Sequence, residues 1–368
     1  MSREMKILIS GYYGFDNSGD DAILKAIVKD FKHSSDNVEL VALSNRPSNT
    51  EKTYNIKSIN RFNIKEVIKT IKSCDLFISG GGSLLQDVTS TRSILYYLAL
   101  MNKAKRCKKS VMVYANGIGP INKRLNRFLT KKVLNKVDLI TLRDEDSKRF
   151  LEELGVDNPN IHVTADPVFT LEPSSKDRVL DIFKVEKIPI DKPLIGISIR
   201  RWNNTNDLVR KISNTIEYIL NNYDVNVILI PMHYPEDLEL SKEVKKRVNE
   251  EGCYIINDKY TVEDIMGIIK ELEMIIAMRL HSLIYAATQE TPMVGLIYDP
   301  KVEGFLNFID MDYMCHVDNM EIEELCDNID EVWSKRKYIR YELGKTNEVL
   351  KQKAMLNTSM ALDLLRSR

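Results

Sequence analysis

Short apolar runs alternate with longer amphipathic segments along almost the whole chain of 368 residues, and this alternation constrains the fold most. Apolar runs of about four to eight residues are typical of buried strands, and apolar residues at every third or fourth position are typical of helices. Strands that alternate with helices indicate βαβ units and a parallel sheet. The sequence therefore predicts an α/β protein with doubly wound parallel sheets.

The pattern occurs twice, on either side of an interval that contains four prolines between positions 167 and 193. The predicted strands are 6–10, 38–43, 76–79, 111–114 and 139–141 before it, and 194–199, 225–230, 274–277 and 293–298 after it. At about 100–200 residues per domain, the length also suggests two domains. We therefore predict a Rossmann-like domain over 1–170, a linker over 171–193, a second Rossmann-like domain over 194–340 and a helical tail over 341–368. The two Rossmann-like domains should face each other across a cleft.

Composition disfavours several classes of protein. Lys and Arg number 53 and so do Asp and Glu, whereas a dedicated nucleic-acid binder is usually basic. The five cysteines include no CxxC pair, which favours a reduced, cytoplasmic protein over a disulfide framework. The first apolar run is too short for a signal peptide, and no run reaches the roughly 18 apolar residues of a transmembrane helix. No HExxH-like cluster occurs, so we predict neither a metal nor another cofactor.

Ligands of open parallel sheets bind beyond the carboxyl ends of the strands, so the residues that follow each predicted strand are the candidates for a site. In the first half these residues are mainly Gly, Asn and Asp, in segments 11–21, 80–87 and 116–120. Glycine lets backbone N–H groups approach a polar or anionic ligand closely, although tight turns alone would also explain it. Neither GxGxxG nor GxxxxGK[ST] is present, which disfavours a dinucleotide site or a P-loop.

In the second half the residues that follow the strands are mostly cations. Arg279 and His281 lie between a predicted buried strand and the next helix. Arg279 is a forked donor suited to carboxylate or phosphate, and His281 is a plausible general acid or base. Arg200 and Lys301 follow two other strands, so we predict that the four side chains converge on one edge of the cleft. His233 also follows a strand, but the prolines around it can explain its loop equally well.

A basic stretch lies between Lys103 and Lys132, where ten Lys or Arg residues occur and no Asp or Glu. Part of this stretch predicts a helix with an apolar stripe, formed by Leu125, Phe128, Leu129, Val133 and Val137. Two interpretations stay open. The basic residues form a solvated face over a core helix, or they dock on an anionic membrane surface, at about 1 kcal/mol per nearby basic residue.

Eight segments of the chain match the motifs of one family in the same order. They are GYYGFDNSGDDAIL at 11–24, ISGGGSLLQD at 78–87, YANGIGP at 114–120, LRDEDS at 142–147, ADPVF at 165–169, ISIR at 197–200, MRLHSLIYAA at 278–287 and YDPKV at 298–302. In these segments the chain resembles the polysaccharide pyruvyl transferases of the bacterial cell-wall type. The departures are Asp16 and Ser18, in a loop that often reads GNTGD in that family. The resemblance implies a GT-B-like fold with a C-terminal helix that returns to the first domain.

The resemblance also implies an activity. Enzymes of this type transfer the pyruvyl group of phosphoenolpyruvate to a sugar as a 4,6-ketal and release phosphate. In similar enzymes the acceptor is an N-acetylmannosamine residue of a lipid-linked precursor of a secondary cell-wall polysaccharide. The ketal is a ligand for surface-layer homology domains, which anchor the S-layer. We therefore expect a cytoplasmic enzyme, with the inner face of the cell membrane as the place where it would meet a lipid-linked acceptor.

Residue roles follow from the same resemblance. The catalytic arginine, histidine and lysine of the family correspond to Arg143, His281 and Lys301. Because phosphoenolpyruvate carries a carboxylate and a phosphate, its site should be rich in cations, and Arg200 and Arg279 join Arg143 and Lys301 as expected donor-binding residues. The expected acceptor-sugar residues, all in the first domain, are Asp16, Asn17, Asp20, Gly81, Gly82, Gln86, Asp87 and Asn116.

Two other functions remain open on the sequence. A GT-B glycosyltransferase of cell-envelope polysaccharide synthesis would use a nucleotide sugar, because cations beside a helix N-terminus hold a diphosphate equally well. A non-catalytic module that binds wall polysaccharide or membrane would consume no phosphoenolpyruvate. The acceptor sugar, the order of substrate addition and the oligomeric state are not encoded in any motif.

Overall fold

The computed structural model describes residues 4–88 and 90–367, so the first three residues of the predicted N-terminal domain and the last residue of the predicted tail lie outside the described residues. The chain divides into two compact units. The first unit takes the chain up to Leu171 and again from Leu350 onward, and the second is Glu172–Val349.

The first unit is a parallel sheet with helices between its strands. Its strands are β1 (Met5–Tyr13), β2 (Val38–Ser44), β3 (Lys57–Asn60), β4 (Leu76–Leu85), β5 (Ser110–Ile118), β6 (Leu139–Leu142) and β7 (Ile161–Val163). Its helices are α1 (Ser18–Ser34), α2 (Pro47–Tyr54), α3 (Ile64–Ser73), α4 (Thr91–Arg106), α5 (Arg124–Leu134) and α6 (Glu145–Glu153). The strand order is β3-β2-β1-β4-β5-β6-β7. Residues of β4 and β5 are almost all buried, as expected for central strands of a sheet covered on both faces.

The second unit repeats this architecture. Its strands are β8 (Leu194–Ser198), β9 (Asn226–Leu229), β10 (Cys253–Ile255), β11 (Met274–Ala277), β12 (Met293–Ile297) and β13 (Met314–His316), in the order β10-β9-β8-β11-β12-β13. Its helices are α7 (Lys176–Val185), α8 (Thr205–Asn222), α9 (Glu236–Arg247), α10 (Val262–Lys270), α11 (Leu280–Thr288) and α12 (Pro300–Phe308). All described strand pairs are parallel in both units. The predicted α/β class with two Rossmann-like halves is confirmed.

The last helix, α13 (Ile322–Arg366), is 45 residues long and contributes to both units. Its later part packs on the first sheet. The hydroxyls of Thr358 and Tyr114 lie 2.8 Å apart, and the Asn357 amide donates to the Ala165 carbonyl at 3.1 Å. The predicted return of the C-terminal helix to the first domain is therefore confirmed.

The segment 171–193, predicted as a linker, contains α7, which packs within the second unit. Val179 and Phe183 of this helix are buried, and Arg178 donates to both carboxylate oxygens of Asp264 at 3.2 Å. The prolines that suggested a linker flank the helix rather than replace it.

Each sheet contains one point at which the strand order reverses. In the first unit the reversal lies between β1 and β4, and in the second unit it lies between β8 and β11. The connections leave adjacent strands in opposite directions at such a point and open a crevice at the carboxyl edge, where α/β proteins bind ligands. These two places are where a site is expected.

Candidate functional site

In the first unit, a hydrogen bond joins β1 and β4 at the reversal point. The Tyr13 hydroxyl at the end of β1 donates to the Gly80 carbonyl in β4 at 2.9 Å. Gly81 and Gly82 follow with φ of 62° and 71°, a left-handed backbone that favours glycine. The predicted glycine loop is thus an irregular part of β4 at the carboxyl edge of the sheet, in which Gly80, Gly81 and Gly82 are buried.

Three predicted acceptor residues lie at the start of α1, against this glycine segment. Asp16 forms an ion pair with Arg46, and Asn17 caps the helix by accepting a hydrogen bond from the Gly19 N–H at 3.2 Å. Asp20 is in the first turn of α1, and a Cβ built on Gly82 would lie 3.3 Å from its Oδ1. The structure therefore brings Asp16, Asn17 and Asp20 to the edge that carries Gly81 and Gly82.

The other predicted acceptor residues have internal partners. The amide of the fully buried Asn116 donates to the Ser79 and Tyr114 carbonyls at 2.9 and 3.1 Å. Gln86 accepts a hydrogen bond from the Val88 N–H at 2.8 Å. The roles of Asn116 and Gln86 toward a sugar stay predictions.

Asp87 holds the start of α5. Its carboxylate accepts hydrogen bonds from the N–H groups of Asn122 and Lys123 and from the Asn126 amide, at 2.8, 3.0 and 2.8 Å. Burial opposes the charged form, but these three donors together lower the pKa of Asp87 below its usual value. A carboxylate with this many donors orients the loop between β5 and α5, and its contact with a sugar stays a prediction.

Arg143 follows β6 and is held in place by neighbours that sequence reasoning did not assign to it. Its guanidinium donates to the Asp166 carboxylate at 3.2 Å and to the Ser83 hydroxyl at 3.0 Å, and its Nε lies 3.5 Å from Asp144. A Cβ added to Gly117 would lie 2.7 Å from Nη2, so the glycine makes room for the guanidinium. Arg143 is thus a buried, oriented and charge-compensated cation.

In the second unit, Arg200 and Lys301 share one aromatic ring. The Arg200 Cζ lies 4.7 Å from the centroid of the Tyr298 ring, and the Lys301 Nζ lies 5.7 Å from it. Trp202 packs edge-to-face on the same ring at 5.1 Å. The predicted convergence of Arg200 and Lys301 is therefore observed, and Tyr298 and Trp202 are neighbours that the sequence analysis did not name.

The two cations differ in their electrostatic partners. Lys301 lies 3.2 Å from the Asp299 carboxylate, which leaves part of its ammonium available. Arg200 makes no ion pair with the described residues, and its Nε is buried without a hydrogen-bond partner. A guanidinium beside an aromatic ring, with no ion-pair partner among the described residues, carries a charge available to an anion.

His281 is the second residue of α11, and this helix begins at the reversal point of the second sheet. The Ser282 hydroxyl donates to the Ser198 hydroxyl at 2.9 Å and ties the helix to the end of β8, two residues before Arg200. The His281 ring packs on the edge of the Tyr285 ring, with centroids 6.3 Å apart. The helix start therefore presents an imidazole at the edge that also carries Arg200.

Arg279 is charge-compensated, in contrast to Arg200. Its Nε and Nη2 donate to the two oxygens of the Asp237 carboxylate, at 2.9 and 2.5 Å, and Asp237 is only 1% exposed. The same carboxylate accepts hydrogen bonds from the N–H groups of Met232 and His233 at 3.2 and 3.0 Å. Arg279 thus anchors the loop after β9, and its role in donor binding stays a prediction.

Comparison with known families extends over most of these motifs. The family model described as polysaccharide pyruvyl transferase matches residues 17–300. The chain belongs to the polysaccharide pyruvyl transferase family. Membership identifies it as a transferase of polysaccharide synthesis, as the motifs implied. A relative, the amylovoran biosynthesis protein AmsJ of Erwinia amylovora, is 20% identical over 326 residues, which are 83% of this chain and 75% of AmsJ.

Solved structures share the fold of this pyruvyl transferase family member. The Anabaena protein Alr3699/HepE in complex with UDP-glucose has a TM-score of 0.68 at 12% identity, with 99% of this chain and 100% of that chain covered. A Neisseria meningitidis UDP-GlcNAc 2-epimerase gives 0.66 at 12% identity, with 99% and 100% covered. A Rickettsia africae glycosyltransferase gives 0.65 at 14% identity and covers both chains completely. These likenesses confirm the GT-B-like fold.

The basic stretch of this pyruvyl transferase family member has an exposed apolar component. Leu125 and Phe128 of α5 are 63% and 59% exposed, one helical turn apart. These two residues lie outside the buried face of α5, because the helix turns Asn126, Thr130, Val133 and Leu134 inward. Asp87 fixes that orientation through its bond to the Asn126 amide. No helix within residues 4–88 and 90–367 is both long and apolar enough to span a bilayer.

Proposed function

We propose that this family member transfers the pyruvyl group of phosphoenolpyruvate to a sugar as a 4,6-ketal, with release of phosphate. The observation that carries the donor assignment is Arg200, a guanidinium without a carboxylate partner in the described residues, beside the ammonium of Lys301. Phosphoenolpyruvate has a carboxylate and a phosphate close together, so it suits a site with two cations. The alternative, a nucleotide-sugar glycosyltransferase, shares the fold but lacks the support of the family match.

The chemistry needs one proton delivered and two removed. Protonation of C3 of the enol makes C2 electrophilic, and one sugar hydroxyl adds there with loss of its proton. The bond between C2 and the phosphate oxygen then breaks, and the second hydroxyl adds to C2 and loses its proton in turn. The products are the ketal and one phosphate, which retains the remaining proton. We assign a proton-transfer step to His281 and stabilisation of the departing phosphate to Lys301 and Arg200.

We place the acceptor on the first unit. Its edge carries carboxylates and an amide at the start of α1, where Asp20 lies near Gly82, and such groups form hydrogen bonds with hydroxyls. The proposed acceptor is N-acetylmannosamine of a lipid-linked precursor of secondary cell-wall polysaccharide, and the product would serve in S-layer anchoring. Arg143 keeps its proposed catalytic role as an oriented cation, which its bonds to Asp166 and Ser83 support.

We also propose that the protein docks on the anionic inner face of the cell membrane through the face of α5. Leu125 and Phe128 share α5 with Arg124, Arg127, Lys131 and Lys132, so the charge draws the helix to anionic lipid and the two exposed side chains insert between headgroups. Vesicles with 30% phosphatidylglycerol should co-sediment the protein, and added salt should release it. Leu125→Ala combined with Phe128→Ala should reduce binding, whereas Val185→Ala, at an exposed site in the second unit, should not. Absent or salt-insensitive binding would discard this part of the proposal.

The activity is tested by phosphate release from phosphoenolpyruvate in the presence of a lipid-linked disaccharide that ends in N-acetylmannosamine. Release should require both substrates, and the acceptor should gain the mass of one pyruvic acid less one water. Isothermal titration should detect phosphoenolpyruvate and not a uridine-diphosphate sugar. The reverse pattern, with transfer of a glycosyl group, would support the glycosyltransferase alternative and overturn the proposal.

A further inference from the structure

An aromatic cluster surrounds a buried arginine at the carboxyl edge of the first sheet. Arg61 directly follows β3 and is only 6% exposed. Its guanidinium lies 4.7–5.6 Å from the centroids of four rings, those of Phe15, Phe62, Tyr96 and Tyr97. Within the part of the chain that the structure describes, no carboxylate pairs with it, and its Nε is buried without a hydrogen-bond partner. The rings therefore take the place of a counter-ion.

Arg61 holds the end of β1 in place as well as the rings. Its Nη1 donates to the Gly11 carbonyl at 2.9 Å, and its Nη2 donates to the Tyr97 hydroxyl of α4 at 3.3 Å. The Tyr96 hydroxyl donates in turn to the Arg61 carbonyl at 3.0 Å. One side chain thus joins three segments, the end of β1, the end of β3 and the first half of α4.

Part of this cluster is exposed to solvent. Phe62 is 63% exposed, and Tyr12 stacks on Phe15 with ring centroids 4.1 Å apart and planes 9° apart. Tyr12 is itself 38% exposed. Asp16 and Asn17 follow Phe15 directly in the chain, so the exposed rings lie beside polar groups at the same edge. Such a combination suits a sugar ring, which has an apolar C–H face and polar hydroxyls at its rim.

We propose that Tyr12, Phe15 and Phe62 form a stacking platform for a pyranose ring of the acceptor saccharide. The platform binds the C–H face of the sugar, and Arg61 is a positioning residue that holds the rings in place without contact with the ligand. This inference rests on the proposed function, because it names a further subsite for the same acceptor.

The principal variant is Phe62→Ala, because this side chain is mostly exposed and its removal leaves the core unchanged. The KM for a soluble disaccharide that ends in N-acetylmannosamine should rise about three- to tenfold, the value of one aromatic contact, while the KM for phosphoenolpyruvate stays constant. Phe62→Trp should retain the wild-type acceptor KM. Tyr338→Ala removes a ring that is 65% exposed in the second unit and should change neither constant.

Arg61→Lys tests the positioning role. Lysine keeps the positive charge but cannot donate to Gly11 and Tyr97 at once, so the acceptor KM should rise at constant KM for phosphoenolpyruvate. An equal rise in both constants, or a lower melting temperature without any change in acceptor KM, would assign Arg61 to stability alone and overturn its positioning role.

A binding measurement separates the failure of this subsite from the failure of the proposed function. Saturation-transfer NMR without phosphoenolpyruvate, with irradiation of aromatic protons, should reach the sugar C–H protons in wild type and weaken in Phe62→Ala. If wild type binds the disaccharide in this way but transfers no pyruvyl group, the proposed function fails and the platform stands. If wild type transfers pyruvyl and Phe62→Ala keeps the wild-type acceptor KM, the platform fails. A loss of vesicle binding in that variant, at unchanged acceptor KM, would make the rings a membrane contact and also overturn it.

Discussion

Arg143 in the first unit and Arg200 in the second follow strands at the carboxyl edges of their sheets, and their surroundings are opposite. Arg143 is buried against the Asp166 carboxylate, the Ser83 hydroxyl and the backbone of Gly117. Arg200 has the Tyr298 ring beside it and no ion-pair partner among the described residues. The Arg143 guanidinium is thus compensated by a carboxylate of the same unit, whereas the Arg200 guanidinium is available to pair with a bound anion.

This difference supports the proposal that the two edges bind different ligands. An edge on which Arg143 is charge-compensated, and which carries the carboxylates and the amide at the start of α1, suits a neutral polyol. An edge with an uncompensated arginine beside a lysine suits a small anion. Arg279 shows that the second unit also pairs arginines, since Asp237 holds it through two hydrogen bonds. The free charge of Arg200 is therefore particular to its position and not to its unit.

The largest expected effect is that of His281→Ala on turnover. Loss of a group that transfers a proton in the transition state reduces kcat by about 10²–10⁴-fold. Phosphate release with saturating phosphoenolpyruvate and acceptor measures this, with an unchanged melting temperature as evidence of folding. His162→Ala, at an exposed position in β7 of the first unit, should keep normal turnover. Near-normal turnover in His281→Ala would remove this histidine from the mechanism and leave the second edge as a binding site only.

Arg143→Ala should destabilise the protein, and Arg200→Ala should not. Removal of Arg143 leaves the buried Asp166 carboxylate without its cation, which costs about 3–5 kcal/mol in the free energy of unfolding. Urea denaturation measures both variants. The double variant Arg143→Ala, Asp166→Asn should recover part of the loss, because the carboxylate charge is then removed together with the guanidinium. Equal stability of Arg143→Ala and Arg200→Ala would break the contrast between the two arginines.

Arg200→Ala should instead raise the KM for phosphoenolpyruvate by about 10- to 50-fold, the value of a charge-assisted contact of roughly 1.5–2.5 kcal/mol. The acceptor KM should not change. Lys301→Ala should act in the same direction and also lower turnover. The matched control is Arg201→Ala, since the adjacent arginine forms an ion pair with Glu243. If Arg201→Ala weakens phosphoenolpyruvate binding as much as Arg200→Ala, net charge and not the position of Arg200 explains the effect.

The regular elements could be predicted from periodicity, but the partners of the charged residues could not. The predicted strand 274–277 coincides with β11, because its apolar run is clear. In contrast, α7 was hidden by the prolines around it. The pairing of Arg279 with Asp237 joins residues 42 positions apart, and no local pattern encodes it. The sequence therefore shows which side chains follow a strand and lie at the carboxyl edge of a sheet, whereas tertiary packing decides which of the charged ones have an ion-pair partner.

Apolar spacing alone does not identify the buried face of α5, because Leu125 and Phe128 are exposed. Apolar spacing predicts the buried face of a helix only when the inward positions are apolar, and α5 turns Asn126 and Thr130 inward. The signal for this was present in Asp87, a carboxylate close to the start of the helix in space but 39 positions from Asn126 in the chain. A buried amide with a fixed acceptor can thus override an apolar stripe.

The smallest expected effect concerns two carboxylates, Asp30 and Asp264, whose pKa values are shifted in opposite directions. Burial raises the pKa of Asp30 in the first unit to about 6, although the Thr170 hydroxyl donates to it at 2.9 Å and Lys29 lies near. Asp264 in the second unit has the opposite shift. Burial opposes its charged form, but hydrogen bonds from Arg178, Ser174 and Thr261 lower its pKa. Asp30 thus relies on a neutral donor, whereas Asp264 has a cation among its donors.

The two carboxylates should therefore respond to pH with opposite signs. The folded state binds the Asp30 proton more tightly than the unfolded chain does, so its contribution is greatest below about pH 4 and is lost as the pH rises toward 6. Asp30→Asn cannot ionise and so avoids this loss. Relative to wild type, its free energy of unfolding should therefore be about 2 kcal/mol higher at pH 7.5 than at pH 4. Asp264 contributes above its ordinary pKa and loses this contribution in acid, so Asp264→Asn should cost more stability at pH 7.5 than at pH 4. Urea denaturation of both variants and wild type at these two pH values measures the differences, and the same sign for the two variants would contradict the contrast between neutral and ionic partners.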